Sequence, residues 1–280
     1  SGAGQLEVPT GATFNMAGGA YLTSSDLSTA SNPQPVLMVD GGTVTVSSSA
    51  FIAGTGNVGS GVELVNGGQM TGDGLTVSNM AFGVMNHGTF TMDSFTSDSN
   101  TNGVVANSGS TTTLTNSQIN DADVGVDVLG GADVSANGVD IDDSSIAVRT
   151  DGTNTVSMSG LDVDGTLGAS PTYGLFTTTT SSGTVSISNS DFEGISTAVY
   201  LQSDSVSISD TAINNGDTGI IVSSQSTASH VFDSVTLSGN DVSVKLDGTG
   251  TMSMSDVTIS SVTTDMEITD SSVVNFLDGE

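Results

Sequence analysis

One interval dominates this chain. Taking Thr184 in the stretch GTVSISNSDFEGISTAVYLQS (183–203) as a first position, a nine-residue pattern recurs along the chain. It starts at Thr13, Thr43, Gln69, Thr89, Thr111, Asp133, Thr155, Thr184, Ser205, Ser229, Thr251 and Val273, most often at a spacing of 22 residues. A period of this size constrains the fold strongly, because one repeat is too small to bury its own apolar face and must stack on its neighbours. Within the repeat the second and fourth positions are apolar, as in Val185 and Ile187, Val206 and Ile208, or Val156 and Met158. The first and third are mostly Ser or Thr, as in Thr43 and Thr45 or Thr89 and Thr91. Alternation with a period of two is the mark of a half-buried strand. The ninth position, from Tyr21 and Phe51 to Phe192 and Ile259, is nearly always large and apolar and is expected to face inward. The sixth is often small or polar (Asn116, Gly138, Gly160, Asn189, Asp210), which suits a sharp bend between two strands.

A third strand precedes each repeat, typically as Gly-apolar-x-apolar: Gly83-Val84-Met85-Asn86, Gly125-Val126-Asp127-Val128, Gly219-Ile220-Ile221-Val222. Its inward pairs are read as Leu6/Val8, Val36/Met38, Val199/Leu201 and Met266/Ile268. Three short strands per repeat without hairpin signals predict an all-β coil in which each strand pairs with its equivalent one turn later. The reading is a three-stranded β-solenoid of about 12 coils of about 22 residues, one domain over residues 1–280. At the usual strand spacing it would form a rod on the order of 55 Å long. The pattern resembles the Gly-Ile-x-Val … Val-x-Ile-x-Asn-Asn-x-Ile rhythm of pectate-lyase-like right-handed parallel β-helix proteins, over essentially the whole chain. The resemblance implies a right-handed parallel β-helix and leaves the chemistry open, since that scaffold carries lyases, hydrolases, adhesins and structural rods.

Charge narrows the partners. The two basic residues, Arg149 and Lys245, face 31 acidic ones, a formal net charge of −29. Such a surface repels nucleic acid and anionic lipid. No apolar run reaches membrane-spanning length, so membrane insertion is not expected. The chain has no Cys, which removes disulfides and thiol chemistry. The scarcity of Lys and the Ser/Thr-rich surface point to an extracellular or cell-surface protein.

The resemblance directs attention to the outward side chains of the first strand, where its enzyme members bind polysaccharide. In order these are read as Glu7, Leu37, Glu63, Met85, Val105, Asp127, Arg149, Phe176, Tyr200, Ile221, Lys245 and Glu267. Both basic residues fall on this row, as do Phe176 and Tyr200, an aromatic pair able to stack on sugar rings. The insertion DGTLGASPTYG (164–174) enters the same strand and is expected to overhang it. Arg149, Phe176, Tyr200 and Lys245 are therefore the candidate ligand-binding residues. The competing reading is structural: an Arg149–Asp127 ion pair across one rung, and a cross-strand stack of Phe176, Tyr200 and Ile221. No catalytic set is visible. Hydrolysis needs two flanking carboxyl groups, and Asp142-Asp143 lacks the Gly-His-Gly and Arg-x-Lys elements of the resembled hydrolases. For lyase chemistry Arg149 is the one candidate. His230 occupies an inward position and His87 a turn.

Carboxylates also recur just after the ninth position. Asp98, Asp142 and Asp164 fall there in their repeats, with Asp121 and Asp143 beside the same row. Ca2+, which takes six to eight oxygen ligands, is the cofactor such a row would hold; none is required. The first and last segments, Gln5-Leu6-Glu7-Val8 and Val273-Val274-Asn275-Phe276, read as strands without polar caps. That predicts flanking domains of a longer chain or head-to-tail self-association into a filament. The resulting expectation is a non-enzymatic extracellular scaffold. The alternative is a polysaccharide-binding protein, or a polysaccharide lyase or hydrolase, with its groove on the first sheet.

Overall fold

The computed structural model describes residues 5–23, 34–165, 172–223, 225–260, 263–269 and 273–277. It comprises two compact units, residues 1–140 and 141–280. In the first unit the strands Leu6–Pro9, Leu37–Asp40, Ser60–Val65, Phe82–Asn86, Asn102–Ala106 and Val124–Leu129 stack in that order into the first sheet. In the second unit Ile146–Asp151, Tyr173–Thr177, Thr197–Leu201, Thr218–Val222, Val242–Asp247 and Thr264–Thr269 do the same. Each strand pairs in parallel with its equivalent one coil on, for example Val104 with Val126 and Val199 with Ile220. The fold is a right-handed parallel β-helix, as the repeat predicts.

The bend at the sixth position is a left-handed residue. φ is +53° at Ser94, +47° at Asn116 and +63° at Gly138 in the first unit, and +62° at Gly160, +51° at Asn189 and +49° at Asp210 in the second. Gly, Asn and Asp tolerate this conformation best, which accounts for the composition of the row. The bend turns the chain without breaking the hydrogen-bond ladder. The second and third strands of the repeat therefore merge into single ten-residue strands such as Thr111–Asn120 and Ser205–Asn214. A second left-handed row lies just beyond the ninth position, at Asn79, Ser99 and Asp121 in the first unit and at Asp143, Gly194 and Asn215 in the second.

Inside, the alternating apolar positions are buried as predicted, Val185, Ile187, Val206 and Ile208 among them. Phe90 and Phe95 meet edge to face, 5.4 Å between centroids at 85°. Each such ring contributes roughly 1.5–3 kcal/mol by leaving water. Buried asparagines hold the turns. The Asn100 amide donates to the Val77 carbonyl (2.9 Å) and Ser97 Oγ (2.8 Å), while its oxygen accepts from Met80 N–H (2.8 Å). Asn240 does the same between Ile213 and Gly216.

Three inward assignments are corrected, one of them Ile268, which is 52% exposed on the last strand of the first-sheet order, where no following strand pairs with it among the described residues. In the run Val36-Leu37-Met38-Val39, Leu37 and Val39 are the fully buried pair, and Met38 joins the outward row in register with Glu7 and Glu63. Four consecutive apolar residues carry no alternation, so the sequence left this strand's facing undetermined. Tyr21 and Phe51, placed inward by the repeat, are instead 64% and 42% exposed. Ser48 and Ser49 are both left-handed (φ +56° and +46°), and the register shifts between Ser47 and Ala50. The extra residue moves the inward position to Ile52, which pairs with Val77.

Candidate functional site

The outward row of the first sheet in residues 141–280 forms as the sequence predicts. Arg149 pairs with Phe176, Phe176 with Tyr200, Tyr200 with Ile221, Ile221 with Lys245 and Lys245 with Glu267. Parallel in-register pairing repeats each side chain about 4.8 Å along the sheet. Phe176 and Tyr200 are accordingly stacked, with centroids 5.5 Å apart and planes inclined by only 10°.

A third ring, not singled out in the sequence, completes the cluster. Tyr173 lies 4.9 Å from Phe176 at 48° and 5.5 Å from Tyr200 at 58°. It precedes Gly174, where a β-carbon would sit 2.6 Å from both the Ala198 carbonyl and the Phe192 ring. Glycine there lets the strand press onto the next coil. An aromatic directly before the glycine of the Gly-apolar-x-apolar element was the available signal. Tyr173 is the penultimate residue of the 164–174 insertion; residues 166–171, expected to overhang the strand, lie outside the described residues. All three rings are half-buried.

The cations sit on either side of the aromatic cluster. Arg149 is one rung from Phe176. Lys245 lies two rungs beyond Tyr200 and reaches Glu267 at 3.7 Å, with both side chains well exposed (37% and 44%). A pair so open to water is worth at most about 1 kcal/mol, leaving the ammonium available to a ligand. Asp127 is buried in the first unit. Beneath the row, the fully buried carboxylate of Asp204 accepts hydrogen bonds from Thr150 Oγ1 (2.5 Å), Ser181 Oγ (2.5 Å) and Gly183 N–H (2.6 Å). These contacts tie the end of the strand Ile146–Asp151 to the turns that follow Tyr173–Thr177 and Thr197–Leu201.

The histidines stand apart from the row. His87 is exposed; His230 is fully buried, with Nε2 2.9 Å from Ser226 Oγ. Burial lowers the His230 pKa to about 4, so the ring is neutral at ordinary pH.

The candidate metal ligands do not converge: among the described residues no three His, Asp or Glu side chains come close enough to hold an ion. Asp121 and Asp143 occupy the second left-handed bend (φ +53° and +51°), a backbone reason for Asp at these positions. Asp98 ends a short strand in register with Asn120, and Asp164 is in register with Glu193. Asp142 ends the strand Asp133–Asp142 beside Asp143, whose Oδ1 is buried without a hydrogen-bond partner. Crowding is real elsewhere on this face: burial, then Asp162, then Glu193 raise the pKa of Asp191.

No protein-family model matches this sequence, and no curated protein matches it. Solved structures do. An alginate lyase from Paenibacillus sp. is similar over 94% of this chain and 92% of its own, at 14% identity and a TM-score of 0.54. The A-module of a mannuronan C-5 epimerase from Azotobacter vinelandii covers 98% of this chain and 91% of its own, at 13% identity and 0.51. The catalytic domain of a GH87 α-1,3-glucanase, in complex with tetrasaccharides, covers 98% of this chain, which spans 62% of that one, at 10% identity and 0.52. The likeness is one of fold, the right-handed parallel β-helix. It corrects the expectation of a non-enzymatic structural scaffold: the architecture matched along nearly the whole chain is one on which a lyase, an epimerase and a glucanase are built. The physical reason is that periodicity specifies the coil and not the chemistry that its outward side chains carry.

Proposed function

We propose that the protein binds and processes an anionic polysaccharide along the outer row of the first sheet in residues 141–280. The observation that carries this is the stacked Phe176–Tyr200 pair, joined by Tyr173, on the one row that holds both cations of a chain of net charge −29. Half-buried rings offer an apolar platform to a sugar face. Arg149 supplies a planar fork suited to a uronate carboxylate, and Lys245 a point charge farther along. Among the residues of this row Glu267 is the one carboxylate, and it is paired with Lys245, so the two-carboxylate arrangement of hydrolysis has no counterpart there. Proton abstraction beside a carboxylate fits better. Arg149 would neutralise the carboxylate; one of Tyr200 and Tyr173, as phenolate, would take the C5 proton while the other, as phenol, gives its proton to the departing glycosidic oxygen, so that the C4–O bond breaks and a C4–C5 double bond forms. An anionic polysaccharide as substrate supports an extracellular or cell-surface setting.

Incubation with alginate and polygalacturonate tests this. New unsaturated uronate ends, read by ultraviolet absorbance, would identify a lyase, and new reducing ends without unsaturation a hydrolase. Binding without turnover that is lost in Phe176→Ala/Tyr200→Ala would leave a binding protein. Absence of binding to either polymer would end the proposal. Ca2+ enters as a supporting ion near Asp142 and Asp143, where the buried Oδ1 of Asp143 would gain a partner. Calorimetric titration of Ca2+ into the wild type and Asp143→Asn checks it. Self-association is a further partner mode, supported by the exposed apolar side chains of Ile268, Val273, Phe276 and Leu277; sedimentation over a concentration series reads it. Assignment of 1–280 to one domain predicts a single cooperative unfolding transition, and two transitions would divide it.

A further inference from the structure

A second row of outward side chains lies in residues 1–140, on a second sheet that includes the strands Tyr21–Thr23, Thr43–Ala53, Gln69–Ser78, Thr96–Asp98, Thr111–Asn120 and Asp133–Asp142. Tyr21 pairs with Phe51, Phe51 with Thr76, Thr76 with Thr96 and Thr96 with Gln118. Asp140 holds the place of Gln118 in the following repeat. At about 4.8 Å per rung the row from Tyr21 to Asp140 runs on the order of 24 Å. One end is aromatic and open: the Tyr21 and Phe51 rings, 6.4 Å apart, are 64% and 42% exposed. The other end is a polar groove of about 380 Å³, lined by Ser94, Thr96, Asn116, Gln118 and Asp140 among others.

The aromatic end is built at a cost. Phe51 faces outward because Ser48 and Ser49 are both left-handed, a conformation that disfavours each by roughly 1–2 kcal/mol. In the preceding coil Gly19 (φ +80°) makes the turn, and a β-carbon on Gly18 would stand 2.9 Å from Ser48 Oγ. Both coils thus hold their aromatic ring out of the core, where the repeat would otherwise place it. Exposed rings at one end and hydroxyl, amide and carboxylate groups at the other are the two halves of a carbohydrate site: an apolar face for stacking and directional polar groups for the sugar hydroxyls. No cation lies on this row; both basic residues of the chain are in the other unit, and Asp140 places a carboxylate in the groove.

We infer that this row is a second carbohydrate-binding surface, and that its ligand is a neutral polysaccharide chain lying along the rungs from Tyr21 to Asp140. It is separate from the proposed uronate site in residues, sheet and charge, and stands or falls without it.

The test is affinity electrophoresis of the wild type in gels containing neutral polymers (laminarin, dextran, xyloglucan, galactomannan), with alginate in a parallel gel. Tyr21→Thr/Phe51→Thr copies the threonine of the next rung and removes only exposed rings; circular dichroism verifies the fold. The expected result is retardation by at least one neutral polymer, weakened at least tenfold in Tyr21→Thr/Phe51→Thr, weakened also in Gln118→Ala, and unchanged in Phe176→Ala/Tyr200→Ala. Three results would overturn the inference: no retardation of the wild type by any neutral polymer, retardation that survives loss of both rings, or retardation lost with Phe176 and Tyr200. The alginate gel reports on the other site alone, so failure of one reading leaves the other measurable.

Discussion

Two outward-facing aromatic clusters among the described residues reach the surface by opposite routes. In residues 141–280, Phe176 and Tyr200 stand at the outward place that the repeat allots them and stack because the register is unbroken. In residues 1–140, Tyr21 and Phe51 stand at places the repeat assigns to the core and are turned outward by one additional residue at a bend. The first arrangement follows from periodicity and the second from a local exception to it. In a solenoid, then, surface chemistry arises both by filling outward positions and by changing which positions are outward.

Removing the rings of the regular site should have the largest effect. Phe176→Ala/Tyr200→Ala is expected to weaken uronate-polymer binding by at least a hundredfold, measured by titration calorimetry. A loss below threefold would mean the stack is only structural, and the contrast between the two sites would collapse. Deleting Ser49 addresses the irregular site directly. It restores the repeat, drives Phe51 into the place of Ile52 and should lower stability by about 3 kcal/mol through overpacking. Denaturant unfolding that shows no loss would mean the extra residue does not set the facing.

His230 tests how strictly a regular inward place is held. Its folded pKa of about 4 lies below the ordinary 6.5, so the folded state binds the proton less readily than the unfolded chain. Its contribution is complete above pH 6.5 and is lost as pH falls towards 4, about 3 kcal/mol in all. Asp191 acts in the opposite sense: its raised pKa makes it least favourable when ionised, and acidification relieves it. Urea unfolding of the wild type and His230→Leu between pH 7 and 4 separates the two, and the variant should lose the downward slope. Asn100→Ala should cost about 1–3 kcal/mol by orphaning the Met80 N–H and the Val77 carbonyl. Lys245→Met should change stability by less than about 1 kcal/mol while still weakening uronate binding. That split would separate a ligand-facing cation from a structural one.

Much of the fold was legible because a period near 22 residues has few physical solutions. The apolar alternation of Val185 and Ile187, and the Asn, Gly or Asp of the bend, each state their own reason. The row from Arg149 to Glu267 was legible for the same cause, since equal spacing in sequence becomes adjacency in a parallel stack. Tyr173 was missed because it lies outside the alternating element, in a segment whose course the repeat does not specify. Leu37 and Phe51 were misplaced where alternation was absent or interrupted. The carboxylates Asp98, Asp121, Asp142, Asp143 and Asp164 share a place in the repeat, but Asp98, Asp142 and Asp164 end strands while Asp121 and Asp143 lie at the left-handed bend, a distinction the repeat alone does not make.

The sequence by itself determined the coil, its sheets, most of its core and the order of residues on the outward row from Arg149 to Glu267. These depend on short-range alternation and a constant repeat length, and both are written in one dimension. Only the tertiary structure decided which rings touch, that Tyr173 joins Phe176 and Tyr200, and that Tyr21 and Phe51 face solvent. Those outcomes depend on single backbone angles at bends. One added residue there turns every following side chain of the strand to the opposite face.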